Sequence, residues 1–126
     1  DRAEWRQADV FSELRVLKSA GHRFDLIILD PPKFAPSAAH AERAARAYRD
    51  INVCAFRLLN PGGLLMTYSC SGGIRSEHFQ QIVTDAAIDA GRQTRLLRRL
   101  AAPPDHPVAL NFSEGEYLKG LLCQVD

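Results

Sequence analysis

The sequence predicts an α/β fold in which helices cover a mostly parallel sheet. Apolar runs typical of buried strands alternate along the chain with amphipathic helical patterns, as in parallel strands joined by helices. One run, Phe24–Leu29, is nearly continuous in apolar residues, which predicts a strand covered on both faces. A turn rather than a helix, at 113–116, precedes the last strand and predicts that the final two strands pair antiparallel.

The first half of the chain contains two predicted strands and two predicted helices. A short strand at 5–8 ends at Asp9, and the helix that follows has an apolar face and stops at Gly21. After the strand Phe24–Leu29, two consecutive prolines prevent further pairing. A helix of roughly 20 residues, with an apolar stripe at the helical period, then ends near Leu59.

The second half begins with a predicted turn at 60–63, where Asn-Pro-Gly-Gly interrupts the pattern, and a strand at 64–68. The following helix has its apolar residues at helical spacing from Phe79 to Ala90 and is closed by Gly91. The remaining strands, and the loop between them, are predicted at 94–100, 117–125 and 101–107.

Composition restricts the classes of function. The 126 residues, 46% of them hydrophobic, form one domain or part of one. The sequence contains neither a long apolar run nor a signal-peptide pattern, so no membrane partner is expected. Three cysteines without metal-type spacing favour a reduced, cytoplasmic protein. Because the chain starts at Asp1 and its only methionine is Met66, we expect it to be a piece of a longer protein.

Two predicted strands end in sequences with reactive side chains. One ends in Asp30-Pro31-Pro32-Lys33-Phe34 (30–34), and the other in Ser69-Cys70-Ser71-Gly72 (69–72). Open α/β sheets bind ligands outside the carboxyl ends of their strands. If these strands are parallel neighbours, both ends lie at one rim of the sheet, and Asp30 and Cys70 form a candidate active site. A solvated turn carboxylate and a buried thiol are the alternative interpretations.

Cys70 is the candidate nucleophile among the three cysteines. It begins a loop that leads into a helix, and helix N-termini and nearby cations favour the reactive thiolate. Cys54 within a helix and Cys123 within a strand are predicted to pack. Lys33, beside the Asp30 loop, suits a phosphate or a base, and a solvated surface lysine is the alternative interpretation. The histidines are isolated, so no metal site is predicted.

An ordered set of motifs resembles a known family. The set comprises DPPKF at 30–34, YRDIN at 48–52, LLNPGG at 58–63, SCSG at 69–72, DAAIDAGR at 85–92, DHPV at 105–108 and EGEYLKG at 114–120. DPPKF looks like the fourth motif of class I S-adenosylmethionine (SAM)-dependent methyltransferases. The whole set resembles the bacterial 23S ribosomal RNA large-subunit methyltransferase I group, which makes 5-methylcytosine.

The resemblance implies a Rossmann-like methyltransferase sheet, of which residues 1–126 are the C-terminal part. Parallel strands with an antiparallel last strand are expected, together with covering helices. The first two strands and the N-terminal RNA-binding domain of that family are not in the sequence, so we expect the fragment alone to be inactive. An apolar strand at 24–29 without its neighbour also predicts self-association into a homo-oligomer.

The resemblance also assigns the site residues, SAM as cofactor and ribosomal RNA as partner. Cys70 is the implied nucleophile, adding to carbon 6 of cytosine. Asp30 is the second implied catalytic residue, stabilising the adduct. The cofactor-binding residues implied are Asp9, Asp30 and Pro31. The substrate-binding residues are Pro32, Lys33 and Phe34.

Three other functions remain open at the level of sequence. A methyltransferase acting on an exocyclic base amine also uses Asp-Pro-Pro before an aromatic residue, and it needs no cysteine. Uracil-5 methyltransferases place Ser-Cys at the same strand end, but Asn-Pro or Asp-Pro typically follows, whereas Ser71-Gly72 follows here. A non-catalytic RNA-binding or dimerisation module is the third, against which the intact Asp30 and Cys70 argue.

Overall fold

A computed structural model describes residues 2–34, 38–71, 73–100 and 118–126. Within these ranges the secondary structure comprises α1 (Val10–Ser19), β1 (Phe24–Leu29), a 3₁₀ turn (Ala38–His40), α2 (Ala41–Arg57), β2 (Leu59–Ser69), α3 (Ser76–Asp89), β3 (Thr94–Leu100) and β4 (Lys119–Val125). The predicted loop at 101–107 and turn at 113–116 lie outside the described residues.

The four strands form one sheet in the order β1-β2-β4-β3. The β1 and β2 strands are parallel neighbours, whereas β4 pairs antiparallel with both β2 and β3. The predicted antiparallel pairing of the final two strands is therefore confirmed. Gly120 pairs with Tyr68, and a Cβ atom at Gly120 would lie 2.6 Å from the Tyr68 ring, so only glycine permits this close approach.

The core lies between one face of the sheet and the helices α2 and α3. Its largest fully buried side chains include Tyr48 and Phe56 of α2, Phe79 of α3 and Leu65 of β2. Burying one such side chain stabilises the fold by about 1.5–3 kcal/mol, so this layer dominates the packing energy. The apolar stripe predicted for the long helix is confirmed.

The exposure of one face of β1 shows that one prediction was wrong. Leu26 and Ile28 are 50% and 62% exposed, so β1 is not covered on both faces by the described residues. The reason is that α2 and α3 pack on the face that carries Ile27 and Leu29. In addition, β1 is at the edge of the sheet that the described residues form. The predicted self-association through this edge stays a prediction.

Residues 5–8 do not form the predicted strand. They are exposed, and Trp5 is 93% exposed. A strand requires a hydrogen-bonded neighbour, and within the described ranges none pairs with this segment. The helix that follows does begin after Asp9 as predicted, and Gly21, with φ of 84°, follows its end.

The predicted turn at 60–63 is an irregularity inside β2, which starts earlier than expected. Phe24 pairs with Leu59 and Leu26 pairs with Leu64. Between these pairs the chain moves five positions along β2 but only two along β1, so the register shifts. Gly62 has a φ of 81°, a value that glycine adopts readily. The Asn-Pro-Gly-Gly sequence therefore bends the strand without ending its pairing.

Candidate active site

The carboxyl ends of β1 and β2 lie at the same rim of the sheet. The two strands are parallel, and Leu29 at the end of β1 is paired with Thr67 of β2. Beyond the strands, the backbone N–H of Phe34 donates a hydrogen bond to Oγ of Ser71 across 3.1 Å. The loop that carries Asp30 is therefore joined directly to the loop that carries Cys70.

The Ser71 side chain connects three parts of the chain. Its Oγ lies 2.5 Å from the hydroxyl oxygen of Tyr48 and also receives the N–H of Phe34. Ser71 and Tyr48 are both fully buried. One serine hydroxyl thus links α2, the Asp30 loop and the end of β2.

The Ser71 backbone is fixed as well. Its carbonyl oxygen accepts the N–H of Ile74 at 3.2 Å and the ammonium of Lys119 at 3.0 Å. Its own N–H donates to Oγ of Ser69 at 3.3 Å. Since both neighbours of Cys70 are buried and hydrogen-bonded, the backbone of Cys70 has little freedom.

Cys70 itself is a half-buried free thiol. The half-buried thiol therefore lies between two buried, hydrogen-bonded serines, Ser69 and Ser71. Cys123 differs, because it is buried on β4 and burial raises the pKa of its thiol to about 11. A thiol with a raised pKa is a poor nucleophile at neutral pH. Cys54 is half-buried within α2, outside the rim.

Lys119 is a site residue that the sequence analysis missed. It is only 8% exposed, although lysine is almost never buried in proteins. Burial lowers the pKa of the Lys119 ammonium, and the electrostatic interaction with Cys70 partly offsets this effect. The EGEYLKG motif contains this residue, but the motif alone does not reveal its burial.

Buried hydrogen bonds between the end of β2 and α2 support the rim. Thr67 donates its hydroxyl to Oδ1 of Asn52 at 2.7 Å, and Nδ2 of Asn52 donates to the Tyr48 carbonyl at 2.8 Å. The Tyr48 ring also packs edge-on against the Phe34 ring, with 4.7 Å between centroids. The YRDIN motif therefore holds both loops through its tyrosine and the end of β2 through its asparagine.

The other predicted residues of the Asp30 loop are arranged around this frame. Asp30 is exposed and Pro31 is buried. Pro32 and Lys33 are exposed, and Phe34 is half-buried. The loop therefore carries exposed Asp30 and Lys33 on a backbone that is held by the end of β1 and by the hydrogen bond from Phe34 to Ser71.

Asp9 lies at the start of α1, away from the hydrogen bonds of the rim. It is exposed, and its carboxylate accepts the hydroxyl of Ser12 at 2.8 Å. The same helix approaches the rim through Phe11, whose ring centroid lies 6.4 Å from that of Phe34. The role of Asp9 in cofactor binding stays a prediction.

Neither a metal site nor a membrane-spanning helix is found in the part of the chain that the structure describes. Among the described residues, no group of three or more His, Cys, Asp or Glu side chains is arranged to hold a metal ion. Within the same ranges, no helix has the length and apolar character needed to cross a membrane.

A cleft of about 410 Å³ lies between α3 and the β3–β4 pair, near the edge of the sheet opposite to β1. Its lining includes Val83, Ile88 and Leu96. None of the predicted site residues lines it, and its cysteine, Cys123, is the one whose pKa is raised. The residue types therefore favour the rim over this cleft as the active site.

Comparison with known proteins finds relatives that are about half identical to the chain. The chain is 52% identical over 123 residues to a Tolumonas auensis protein named ribosomal RNA large subunit methyltransferase I, covering 98% of the chain and 31% of that protein. The protein of the same name from Pseudoalteromonas atlantica is 50% identical over 124 residues, with the same two shares. The chain is related to the ribosomal RNA large subunit methyltransferases I. It spans about a third of the length of these relatives. No protein-family model matches the chain.

Solved structures confirm the predicted Rossmann-like methyltransferase fold. SMU.776, solved in complex with SAH, matches 94% of the chain and 30% of its own length, with a TM-score of 0.75 at 20% identity. NSun6 from Pyrococcus horikoshii, solved with SFG, matches 97% of the chain and 33% of its own length, with a TM-score of 0.60 at 21% identity.

Proposed function

We propose that the chain is part of an enzyme that transfers a methyl group from SAM to carbon 5 of a cytosine in 23S ribosomal RNA, through a covalent adduct with Cys70. The observation that carries the proposal is the half-buried Cys70 thiol, held between the buried Ser69 and Ser71 beside the loop of Asp30. The name of the relatives supports an RNA substrate. The cytosine assignment follows the resemblance of the motifs.

The residues at the rim fit SAM as the cofactor. Pro31 is buried and gives the loop a rigid wall, while Asp30 is exposed at the end of β1, where open α/β sheets bind ligands. Asp9, Asp30 and Pro31 are the residues that would hold it. When bound, SAM supplies an electrophilic methyl group.

Cys70 activates the base. Its thiolate sulfur forms a bond to carbon 6 of cytosine, and the electron pair of the carbon 5–carbon 6 double bond then makes carbon 5 nucleophilic. Carbon 5 takes the methyl group, a base removes the hydrogen from carbon 5, and the released electron pair restores the double bond. That step breaks the sulfur–carbon bond and regenerates Cys70.

Asp30 and its neighbours orient the cytosine. The exposed Asp30 carboxylate is suited to hydrogen-bond the ring nitrogen or the amine, which stabilises the charge that develops on the ring. Pro32 and the half-buried Phe34 offer apolar surface to a base. Lys33 is exposed on the same loop, where an ammonium attracts phosphate.

Methylation of 23S ribosomal RNA, with the modified nucleoside identified by mass spectrometry, tests the proposal. We expect 5-methylcytidine from the wild-type enzyme and no detectable product from Cys70→Ala. Cys54→Ala, which alters a cysteine of similar burial outside the rim, is the matched control and should retain activity. Asp30→Asn should slow the reaction on the order of a hundredfold, because an amide cannot stabilise the developing charge as a carboxylate does.

The assay also separates the competing functions. A Cys70→Ala variant with the wild-type rate and an N-methylated product would replace the proposal with methylation of an exocyclic amine. A wild-type enzyme that binds RNA without methylating it would favour a non-catalytic module.

A further inference from the structure

The β3 strand carries three exposed arginines, Arg95, Arg98 and Arg99. It pairs antiparallel with β4, as β2 does, so β2 and β3 run in the same direction. Their carboxyl ends therefore lie at the same rim of the sheet. Arg98 and Arg99 are near that end of β3, whereas Arg95 is near the other end.

The sheet register places Arg99 close to the segment that carries Cys70. Arg99 pairs with Leu121 of β4, which pairs with Thr67 of β2, three residues before Cys70. Only β4 separates β3 from β2, and neighbouring strands lie roughly 4.8 Å apart, so the backbones of Arg99 and Thr67 are roughly 10 Å apart. Nucleotides next to a base held at Cys70 are therefore within reach of this end of β3.

The charges of Arg98 and Arg99 are not paired with a carboxylate of any described residue, since the ion pairs in these ranges involve Arg6 and Arg49. Arg99 donates from Nε and Nη2 to Oε1 of Gln80, at 3.1 and 2.8 Å. This neutral amide orients the guanidinium without cancelling its charge. A side chain that is already oriented loses less entropy when it binds a partner.

We propose that Arg98 and Arg99 bind the phosphate backbone of the substrate RNA beside the target cytosine. The inference rests on the proposed function, because it assumes that the rim around Cys70 receives RNA. The guanidinium fork matches the oxygens of a phosphate, and such contacts supply affinity and position without reading the base sequence. Residues 90–100 include four arginines and no acidic residue, so this edge attracts a polyanion.

Arginines on an edge strand can also serve another purpose. The β3 strand is at the edge of the sheet that the described residues form, and Leu96 and Leu97 are 38% and 48% exposed. Charged side chains on such a strand hinder its pairing with another chain. Either sign of charge serves that purpose, but only positive charge binds RNA, so charge reversal separates the two roles.

Binding of 23S ribosomal RNA by the full-length enzyme, measured at several salt concentrations, tests the inference. We expect Arg98→Glu and Arg99→Glu each to bind on the order of tenfold more weakly and to reduce the slope of log affinity against log salt by about one. Arg95→Glu is the matched control, because Arg95 is exposed on the same strand and also donates to a neutral amide, that of Gln124, at 3.0 Å. It should bind RNA within about threefold of wild type.

The kinetic constants give a second readout. In Arg99→Glu, KM for RNA should rise on the order of tenfold while kcat stays within about twofold, because the guanidinium contacts a phosphate rather than the reacting atoms. Arg99→Lys, which keeps the charge but loses the fork, should recover most of the salt slope. Circular dichroism and SAM binding should be unchanged in all these variants.

Wild-type RNA affinity in both Arg98→Glu and Arg99→Glu would overturn the inference and leave protection of the strand edge as the role of the arginines. An equal loss in Arg95→Glu would also overturn it, because affinity would then follow net charge rather than position. Modification by phenylglyoxal, located by peptide mass spectrometry, needs no substitution: bound RNA should shield Arg98 and Arg99 and leave Arg95 reactive. Equal reactivity of Arg98 and Arg99 with and without RNA would contradict the inference even if a glutamate variant failed to fold.

The outcome is independent of the test of the proposed function. Unchanged RNA binding in an enzyme that makes 5-methylcytidine would reject the role of the two arginines and leave the cysteine mechanism standing. Weakened RNA binding in an enzyme that makes an N-methylated product would support the RNA contact but reject the mechanism.

Discussion

The hydroxyl of Tyr48 lies 2.5 Å from Oγ of Ser71, and this buried contact joins α2 to the loop that follows β2. Ser71 also receives the backbone N–H of Phe34, so the same hydroxyl holds the loop that follows β1. The relative placement of the loops that carry Asp30 and Cys70 therefore depends on a tyrosine that belongs to neither loop.

Tyr48→Phe should loosen the rim without disturbing the core. The ring keeps its packing against Phe34 and Phe79, and Ser71 still accepts the N–H of Phe34. We expect a loss of about 1 kcal/mol in the free energy of unfolding, measured in urea, because one buried hydrogen bond disappears. Methylation should fall by more than this loss of stability explains, since the two loops are no longer joined through α2.

Tyr68→Phe is the matched control for that substitution. The Tyr68 ring is half-buried on β2, and its hydroxyl makes no hydrogen bond to any described residue. Both stability and methylation should be unchanged. Equal effects of the two substitutions would mean that the Tyr48–Ser71 contact does not organise the rim.

The buried hydrogen bond between Thr67 and Asn52 gives a second test. Thr67→Val keeps the shape of the side chain but leaves Oδ1 of Asn52 without its donor at 2.7 Å. An unsatisfied buried acceptor costs about 1–3 kcal/mol, and urea unfolding should show a loss in this range. Thr84→Val removes a hydroxyl from the exposed face of α3 and should change stability by less than about 0.5 kcal/mol.

The sequence predicted the rim because its signals are local. Mainly apolar runs followed by Asp-Pro-Pro and Ser-Cys-Ser identify two strand ends, and a parallel sheet places such ends together. The resemblance supplied the roles of Asp30 and Cys70. The parallel pairing of β1 and β2 and the hydrogen bond between Phe34 and Ser71 then agree with the expected proximity.

Lys119 and the hydroxyl of Tyr48 were not predictable, because their partners are distant in sequence. Lys119 bonds a carbonyl 48 residues away, and Tyr48 bonds a serine 23 residues away. The position of Tyr48 in the apolar stripe of the helix predicts a buried ring, but it does not predict which residue its hydroxyl contacts. The apolar character of β1 likewise could not show which face the helices cover, and Leu26 and Ile28 prove to be exposed.

Cys123 predicts a pH dependence of stability. Burial raises the pKa of its thiol from the ordinary 9.0 to about 11. Between these values the unfolded chain loses this proton first, so the folded protein binds more protons and its stability falls as pH rises. The contribution is complete below pH 9 and is lost as the pH passes about 11.

Cys123→Ala should remove this alkaline decline, measured as the difference from wild type in urea unfolding at pH 8 to 11. Lys119, whose pKa is lowered by burial, contributes the opposite slope, but it is present in both proteins and cancels in the difference. Cys54→Ala is the control and should keep the wild-type slope. If the stability of Cys123→Ala fell with pH as steeply as that of the wild type, the alkaline sensitivity would belong to another group.

The last prediction concerns the covalent adduct that Cys70 should form. RNA with 5-fluorocytosine at the target should trap the full-length enzyme after methyl transfer, since fluorine at carbon 5 cannot leave as a proton does. The elimination that releases the cysteine is then blocked. The complex should resist denaturation and migrate as a protein–RNA conjugate in a denaturing gel.

Substitutions identify the sulfur responsible. Cys70→Ala should abolish both the conjugate and methylation, whereas Cys54→Ala and Cys123→Ala should form the conjugate, apart from a modest packing loss at the buried Cys123. Peptide mass spectrometry of the trapped enzyme should find the nucleotide on the peptide that contains Cys70. Ser69 and Ser71 flank that thiol, but both hydroxyls are buried and hydrogen-bonded, so neither is placed to substitute for it. A conjugate that persists in Cys70→Ala would show that a different nucleophile attacks the base, and the cysteine mechanism would then be wrong.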